Sequence, residues 1–278
     1  MGHPPIRHIF HPTDLSPSSI TAFLHALRIA LVTRSVLTIM HVADGEDLEP
    51  GELPGVRSTL KRWGLIDNEE DKTQLVDLGL GVRKVVVQGD GDPAESCLEY
   101  LDRHAADLIV LSTHQRSGRM SWLERKVAEP LARGAAEPTL FIPHDRAGFV
   151  EPRKGEVTIR KILIPVDHAP DPAPAIRAAA RVADQLVVED VEFVLLHVGG
   201  PGTGPKPTTP ERNGWSWRTE ERTGDVVTTI LQVEQAIGPD LIVMTTEGHH
   251  GFLDALRGST TERVLRGARC PVLTGIAP

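Results

Sequence analysis

The sequence predicts an α/β protein built from two similar domains, each with a parallel β-sheet and helices on both of its faces. Short apolar runs, such as residues 108–111 and 194–196, suit strands that are buried on both faces. Amphipathic stretches alternate with these runs, and such alternation is typical of parallel strands joined by right-handed helical crossovers. The pattern occurs twice along the chain, which indicates two domains.

The repeat is clearest at a constant offset. Asp92 and Asp225 each open an amphipathic stretch that ends in Asp-Leu-Ile-Val, an offset of 133 residues (225 − 92). Near the front of each copy, residues 8–14 match residues 161–167 at an offset of 153 (167 − 14). The second copy is therefore shorter by 20 residues (153 − 133) between its first strand and its Asp225 helix.

The first copy carries a helix-like stretch near residues 57–78, where the second copy has Gly- and Pro-rich loop sequence at 199–207. Ser16-Pro17 and Asp92-Pro93 each place a capping side chain before a proline, which predicts helix starts. We expect a first domain at 1–146, a linker at 147–160 and a second domain at 161–278. In the first domain, strands are predicted near 8–12, 36–42, 82–88, 107–112 and 139–143, and helices near 17–32, 57–78, 92–105 and 120–133.

Composition and charge argue against several classes of partner. The net charge of −8 and the pI of about 5.8 provide no basic field for a phosphate backbone, so we expect no nucleic-acid partner. Without a signal-type N-terminus or an apolar run of roughly 20 residues, we expect a cytoplasmic protein with no membrane contact. Cys97 and Cys270 form no Cys-x-x-Cys pair and are interpreted as buried thiols.

An aspartate follows the first strand of each copy, at Asp14 and Asp167. Open parallel sheets bind ligands beyond the carboxyl ends of their strands, where the strand order reverses. A carboxylate at that position can accept hydrogen bonds from a base or a ribose hydroxyl. It can equally cap the helix that follows. The sequence leaves both interpretations open.

After the fourth strand, the second copy has glycines at 248 and 251 and a Gly-Ser-Thr-Thr run at 258–261 that opens a helix. Glycines let backbone amides approach an anion, and a helix start adds free N–H groups and the positive end of the helix dipole. These features predict a phosphate cradle. It has no lysine, since neither a Walker motif nor Gly-x-Gly-x-x-Gly before a helix occurs in the chain.

The pattern Thr245-x2-Gly248-x9-Gly258-Ser259, together with Asp167, resembles the universal stress protein family. Its nucleotide-binding members carry Gly-x2-Gly-x9-Gly-Ser/Thr after the fourth strand and an aspartate after the first. Only the first glycine of the pattern differs, because Thr245 stands in its place. The resemblance covers both copies, and so nearly the whole chain.

This resemblance implies two adenine-nucleotide alpha-hydrolase-like, Rossmann-like domains, each with a five-stranded parallel sheet. It implies that they pair within the chain through their last strands, at 139–143 and 271–274, as a pseudo-dimer. Whether two such chains associate further into a homodimer is left open. It also implies binding of ATP, ADP or AMP, with or without Mg²⁺, in the second domain. The nucleotide-binding residues would be Pro165, Val166, Asp167, Val198, Thr245, Gly248, Gly258, Ser259 and Thr260.

The first copy keeps Asp14 but not the loop. The three glycines of the family pattern are replaced by Ser112, Gln115 and Arg125, and the Ser/Thr that follows the last glycine is replaced by Lys126. Side chains at these positions should obstruct the approach of backbone amides to a phosphate. We therefore expect one nucleotide site per chain, in the second copy.

Histidines also cluster around the predicted site. His168, His249 and His250 could converge on one metal ion, but they lack ligand spacing on a single helix, so a metal site is the weaker interpretation. His41 and His197 end the second strand of each copy and are interpreted as structural.

Three functions fit the sequence. The leading hypothesis is a stress-response protein that binds an adenine nucleotide for regulation or signalling with little turnover, and no catalytic residue is assigned. A second is a scaffold that binds no nucleotide and presents a surface to another protein, whose identity the sequence does not give. A third is a slow ATP-hydrolysing or metal-assisted phosphohydrolase that uses Glu247, His249 or His250.

Overall fold

The computed structural model describes residues 5–43, 45, 47–88, 92–113, 137–144, 146, 148–246 and 260–276. The first half contains β1 His8–Pro12, α1 Pro17–Thr33, β2 Val36–Ala43, α2 Val56–Arg62, α3 Thr73–Asp77, β3 Gly81–Gln88, α4 Pro93–Arg103, β4 Leu108–Thr113 and β5 Thr139–Pro143. The second contains β6 Lys161–Pro165, α5 Ala173–Gln185, β7 Val191–Val198, β8 Trp215–Arg222, α6 Val226–Ile237, β9 Leu241–Thr246, α7 Thr260–Gly267 and β10 Val272–Ile276.

The ten strands in the described part of the chain form one sheet, in the order β3-β2-β1-β4-β5-β10-β9-β6-β7-β8. Within each half the neighbouring strands are parallel. The halves meet at an antiparallel ladder between β5 and β10, where Phe141, Leu140 and Thr139 face Val272, Leu273 and Thr274. The predicted α/β fold class is confirmed, and the two last strands join the halves within one chain.

Helices cover both faces of the sheet. On one face, α1, α2 and α5 pack over a single apolar core that runs through both halves and includes Ile9, Leu140, Leu273 and Phe193. On the other face the core is divided, with α4 over Phe10 and Ile109 in the first half and α6 and α7 over the second half. Because one core is shared, the two halves are packed together as well as paired.

Three helices begin at a residue that the sequence singles out: the predicted capping residues Ser16 and Asp92, and Asp225, the counterpart of Asp92 in the second copy. Ser16 caps α1, and the Asp92 carboxylate accepts a hydrogen bond of 3.0 Å from the Ala94 N–H at the start of α4. Asp225 does the same for the Thr228 N–H of α6, also at 3.0 Å. Such caps satisfy amides that have no partner inside the helix.

The predicted helix at 57–78 is wrong in one respect, because two short helices, α2 and α3, occupy this stretch. Gly64 follows α2 with a φ of +71°. A glycine in this left-handed conformation ends a helix without steric cost, which explains the break. The corresponding part of the second half, residues 199–214, contains no helix. The predicted helix at 120–133 lies outside the described residues.

The segment between the halves is packed rather than extended. Val150 and Val157 form an antiparallel bridge, and Phe149, Val150 and Ile159 are buried. The Trp63 indole donates a hydrogen bond of 3.1 Å to the Pro152 carbonyl, which ties the segment to α2. This polar segment therefore contains three apolar residues that join the core shared by both halves.

His25 holds this segment against α1. Its Nε2 accepts a hydrogen bond of 2.9 Å from the Phe149 N–H, and its Nδ1 lies 2.7 Å from the Thr21 carbonyl, to which it donates. Gly148 has a φ of +67°, and a Cβ there would lie 2.3 Å from His25 Nε2, so only glycine fits. Burial lowers the pKa of His25 from 6.5 to about 4, which keeps the ring neutral.

The described residues include no helix that is long and apolar enough to cross a membrane. Cys97 and Cys270 are both free thiols. Burial raises the pKa of Cys97 to about 12 and raises that of Cys270 as well. Thiolates are the reactive form of cysteine, so both side chains behave as packing groups.

We expect acid to weaken the folded chain through His25. The folded-state pKa lies below 6.5, so the contribution of the neutral ring is present above that pH and is lost as the pH falls toward about 4. By pH 5 this loss amounts to about 2 kcal/mol of unfolding free energy. Chemical unfolding at about pH 7.5 and about pH 5 measures it.

His25→Gln is the matched control, because a glutamine amide can accept from Phe149 and donate to Thr21 but does not titrate. The variant should lose about 2 kcal/mol less than the unaltered protein over the same pH interval. Equal losses in the two proteins would show that His25 does not carry the acid sensitivity.

Candidate functional site

The strand order of the second half reverses between β6 and β9, and this places the predicted site. β6 pairs with β9 only at Ile162–Leu241 and Leu163–Ile242, near the amino ends of both strands. The carboxyl ends of both strands lie beyond those pairs, at the switch point of the strand order, and open parallel sheets bind ligands in a crevice at this position. Pro165 ends β6 on one side of this crevice, and Thr245 lies near the end of β9 on the other.

The Asp167 carboxylate stands at the mouth of the crevice. Its side chain is 57% exposed. Its Oδ1 accepts a hydrogen bond of 2.7 Å from the neighbouring His168 N–H and lies 3.8 Å from His197 Nδ1. Val166, in contrast, is buried, and its N–H donates to the Leu196 carbonyl at 2.8 Å. The backbone beneath Asp167 is therefore fixed while the carboxylate faces solvent.

His197 connects the end of β6 to the loop that follows β7. The ring is buried, with Nδ1 3.2 Å from the Val166 carbonyl and Nε2 3.1 Å from the Thr203 hydroxyl. A Cβ on Gly199 would lie 2.3 Å from His197 Nε2, so the chain needs glycine as it leaves β7 after Val198. In the first half, His41 Nδ1 lies 2.7 Å from the Thr13 carbonyl, so both histidines have the structural contacts that the sequence suggested.

The loop at residues 199–204 forms an ordered wall beside the crevice. The Thr203 carbonyl lies 2.7 Å from His168 Nε2, and the Thr203 hydroxyl donates to the Gly200 carbonyl at 2.6 Å. The Glu221 carboxylate on β8 accepts from the Gly202 N–H at 2.6 Å and the Gly204 N–H at 3.3 Å. The hydrogen bond from the Gly202 N–H, with a smaller effect from the Gly204 N–H, lowers the pKa of Glu221. Sequence reasoning missed Thr203 and Glu221, although the dense glycines at 199–204 signal a tight backbone turn.

A metal centre finds no support in this part of the site. Among the residues that the structure describes, no group of three or more His, Cys, Asp or Glu side chains is placed to hold a metal ion. His168 Nε2 faces a carbonyl and so carries the hydrogen. The other two predicted metal candidates, His249 and His250, lie outside the described residues.

Asp14, the counterpart of Asp167 in the first half, has different contacts. Its Oδ1 accepts hydrogen bonds from the Ser16 N–H at 3.0 Å, from the Ser16 hydroxyl at 2.6 Å and from the Ser19 hydroxyl at a shorter distance. These contacts fasten the first turn of α1. In the second half that task falls to Asp171, which accepts from the Ala173 N–H at 3.0 Å. Ser16 is the N-cap of α1, and Asp14 supports this cap from outside the helix, whereas Asp167 has no contact with the start of α5 in the described chain.

The structure describes only part of the predicted phosphate loop. Thr245 faces Gly275 across the β9–β10 ladder, and Thr260 is exposed at the start of α7. In the first half, the Ser112 hydroxyl donates to the Ser18 carbonyl at 3.2 Å. Outside the described residues lie Gly248, Gly258, Ser259 and Glu247, together with Gln115, Arg125 and Lys126 of the first half.

The fold and the crevice define a Rossmann-like α/β protein with two repeated halves. The sequence profile of the universal stress protein family matches residues 5–143 and 208–274, more than half of the chain. The chain belongs to the universal stress protein family.

The chain is also similar to individual known proteins. A universal stress protein of Methanocaldococcus jannaschii is 29% identical over 143 residues, 44% of this chain and 84% of its own. The crystal structure of a universal stress protein from Archaeoglobus fulgidus superimposes with a TM-score of 0.61 at 15% identity, over 97% of this chain and 98% of its own. A universal stress protein family protein from Arabidopsis thaliana, solved with AMP bound, is 19% identical over 43% of this chain and 92% of its own, with a TM-score of 0.31.

The two aspartates should differ in their effect on stability. Asp14→Ala removes the acceptor for three hydrogen bonds at the start of α1 and should lower the unfolding free energy by about 1–2 kcal/mol. Asp167→Ala removes an exposed carboxylate and should change it by less than about 0.5 kcal/mol. Urea unfolding of both variants measures the difference. A loss for Asp167→Ala as large as that for Asp14→Ala would contradict the contacts described above.

Proposed function

We propose that this protein binds one adenine nucleotide, ATP, ADP or AMP, in the crevice of its second half. Its role in the stress response would be regulatory or signalling, in the cytoplasm, with little turnover. The chain would consist of two family domains at 1–146 and 161–278, joined by the linker at 147–160. The profile matches at 5–143 and 208–274 lie within those two domains.

The exposed carboxylate of Asp167 is the observation that carries the proposal. Asp14 is engaged by α1, whereas Asp167 stands at the crevice with its side chain 57% exposed. A carboxylate in that position can accept hydrogen bonds from ribose hydroxyls or a base edge. Val198, which ends β7 and is half-buried, adds apolar surface that suits the face of a purine ring, whereas the Val166 side chain is buried beneath Asp167.

The phosphates would lie at the start of α7. This helix begins at Thr260, directly after Gly258 and Ser259 in the sequence. Its first N–H groups and the positive end of its dipole favour an anion at that end. The Thr260 side chain is exposed and can add a hydroxyl donor. Gly248 would allow a second backbone approach to the phosphates, as the family pattern implies.

The proposal gives the chain no catalytic residue. It has no Walker lysine to neutralise charge that develops on the phosphates, and fast phosphoryl transfer depends on such groups. Mg²⁺ could accompany the triphosphate as part of the ligand. The nucleotide would then act by binding alone, because a ligand that binds one conformation of a protein more tightly increases the population of that conformation.

Isothermal titration with ATP, ADP and AMP, each with and without Mg²⁺, tests the proposal. We expect one site per chain. Gly258→Arg, which copies Arg125 of the first half, should abolish binding because a long side chain would fill the space of a phosphate. Asp167→Ala should weaken binding by about tenfold or more, the cost of one charge-assisted hydrogen bond.

Asp14→Ala is the matched control and should leave the affinity and the stoichiometry unchanged. Two equal sites, or equal weakening by both aspartate variants, would contradict the assignment to the second half. If no nucleotide binds, the scaffold interpretation replaces the proposal. Release of phosphate well above that of Gly258→Arg would instead favour the phosphohydrolase.

A further inference from the structure

A groove lies between the two halves, on the face of the sheet that carries α1 and α5. Its floor includes Leu140 of β5 and Leu273 of β10, which face each other across the antiparallel ladder. Ala178 and Val182 of α5 line one wall, and Ile29 of α1 contributes to the lining on the first half. The cavity volume is about 480 Å³, within the range of about 300–1,000 Å³ that small-molecule sites occupy.

Gly275 makes the groove deeper where it lines the floor. A Cβ built on this residue would meet no atom within 4 Å, so the space above it is open. The surrounding side chains are mainly apolar, and an apolar wall releases water most favourably to an apolar ligand. The shape and the lining therefore suit a hydrocarbon chain.

More positive than negative side chains line the groove. Arg177 and Arg181 lie one turn apart on α5, and Asp107 is the one carboxylate among the lining residues. Asp107 Oδ2 already accepts hydrogen bonds from the Arg7 N–H at 2.8 Å and the His8 N–H at 2.9 Å. With two cations and one carboxylate, the lining carries a net charge of +1.

Arg181 has donor capacity that the described chain does not use. Its Nε is buried and has no hydrogen-bond partner among the described residues. A buried donor without a partner costs the folded protein free energy, and an anionic ligand beside the guanidinium can offset part of this cost through its charge. Desolvation lowers the pKa of Arg181 and the Asp107 carboxylate opposes this shift, but a guanidinium stays protonated in proteins, so its charge is retained.

We propose that the groove binds a long-chain carboxylate, with its hydrocarbon chain over Leu140, Leu273 and Gly275 and its carboxylate at Arg177 and Arg181. The single negative charge matches the net charge of the lining, and the chain matches the apolar floor. The proposal does not rest on nucleotide binding, although Thr245 lines both the groove and the crevice.

Titration of the full chain with dodecanoate, 1-dodecanol and butyrate tests this proposal. Dodecanoate should bind at one site per chain and at least tenfold more tightly than either other probe, since the alcohol lacks the charge and butyrate lacks the chain. Arg181→Gln should lower the affinity for dodecanoate by about fivefold or more and leave the affinity for dodecanol unchanged. Failure of dodecanoate to bind, or equal binding of the alcohol, would overturn the proposal.

Gly275→Phe should fill the groove and reduce dodecanoate affinity by at least tenfold, without a clash at its Cβ. Gly51→Phe is the control, because a Cβ there also meets no atom within 4 Å but lies outside the groove. Ala178→Phe fills the same space from α5 and should act like Gly275→Phe. Full dodecanoate affinity in a folded Gly275→Phe or Ala178→Phe protein would overturn the proposal.

Gly258→Arg separates this proposal from nucleotide binding. The variant should lose the nucleotide and keep dodecanoate at its full affinity. Loss of both ligands in Gly258→Arg would overturn the assignment of dodecanoate to the groove. A protein that binds dodecanoate but no nucleotide in any form would refute the proposed function and support the groove.

Discussion

The antiparallel ladder between β5 and β10 is the interaction on which the rest of the structure depends. Among the described residues, it joins two parallel five-stranded sheets into one sheet of ten strands, with β3 and β8 as the edge strands. Because the ladder is antiparallel, the two halves are related by an approximate twofold rotation, which brings α1 and α5 to the same face. A single apolar core then extends through both halves on that face. The groove lies over the same ladder, so it is a property of the fused pair and not of either half.

Covalent fusion also allows the halves to differ. Each half places an aspartate after its first strand, but the serines at 16 and 19 recruit Asp14 to α1. The second half has no serine there, and Asp171 supports α5 instead. Asp167 consequently remains at the crevice mouth, beside a loop that His197 and Glu221 hold in place. The proposed single nucleotide site follows from these local differences within a shared architecture.

The sequence was sufficient for the fold because its signals are local and occur twice. Buried strands, the caps at Ser16 and Asp92 and the constant offset between copies all depend on short stretches of chain. The helix at 57–78 was predicted wrongly because its amphipathic pattern continues through Gly64, whose left-handed conformation ends α2. Periodicity alone does not register such a break, so the two short helices required coordinates.

The site was less predictable, because its walls depend on contacts between distant residues. Thr203 meets His168 and His197 only after the glycine loop folds back, and Glu221 reaches that loop from another strand. The buried role of Phe149 was hidden in the same way, since the segment around it is polar in sequence. The position of Asp167 could be predicted from the sequence. Its greater exposure than that of Asp14 could not, because it depends on the surrounding hydrogen bonds.

Amide hydrogen exchange across the sheet tests the central claim, that β5 and β10 unite the two halves, most directly. Exchange reports the local free energy of opening, so strands in the middle of a cooperative sheet exchange slowly. The amides of Leu140, Phe141 and Leu273 should be protected as strongly as those of β1 and β6 if the ladder unites the halves. Exchange at β5 and β10 as fast as at the edge strands β3 and β8 would show that the halves open independently, and would contradict the central claim.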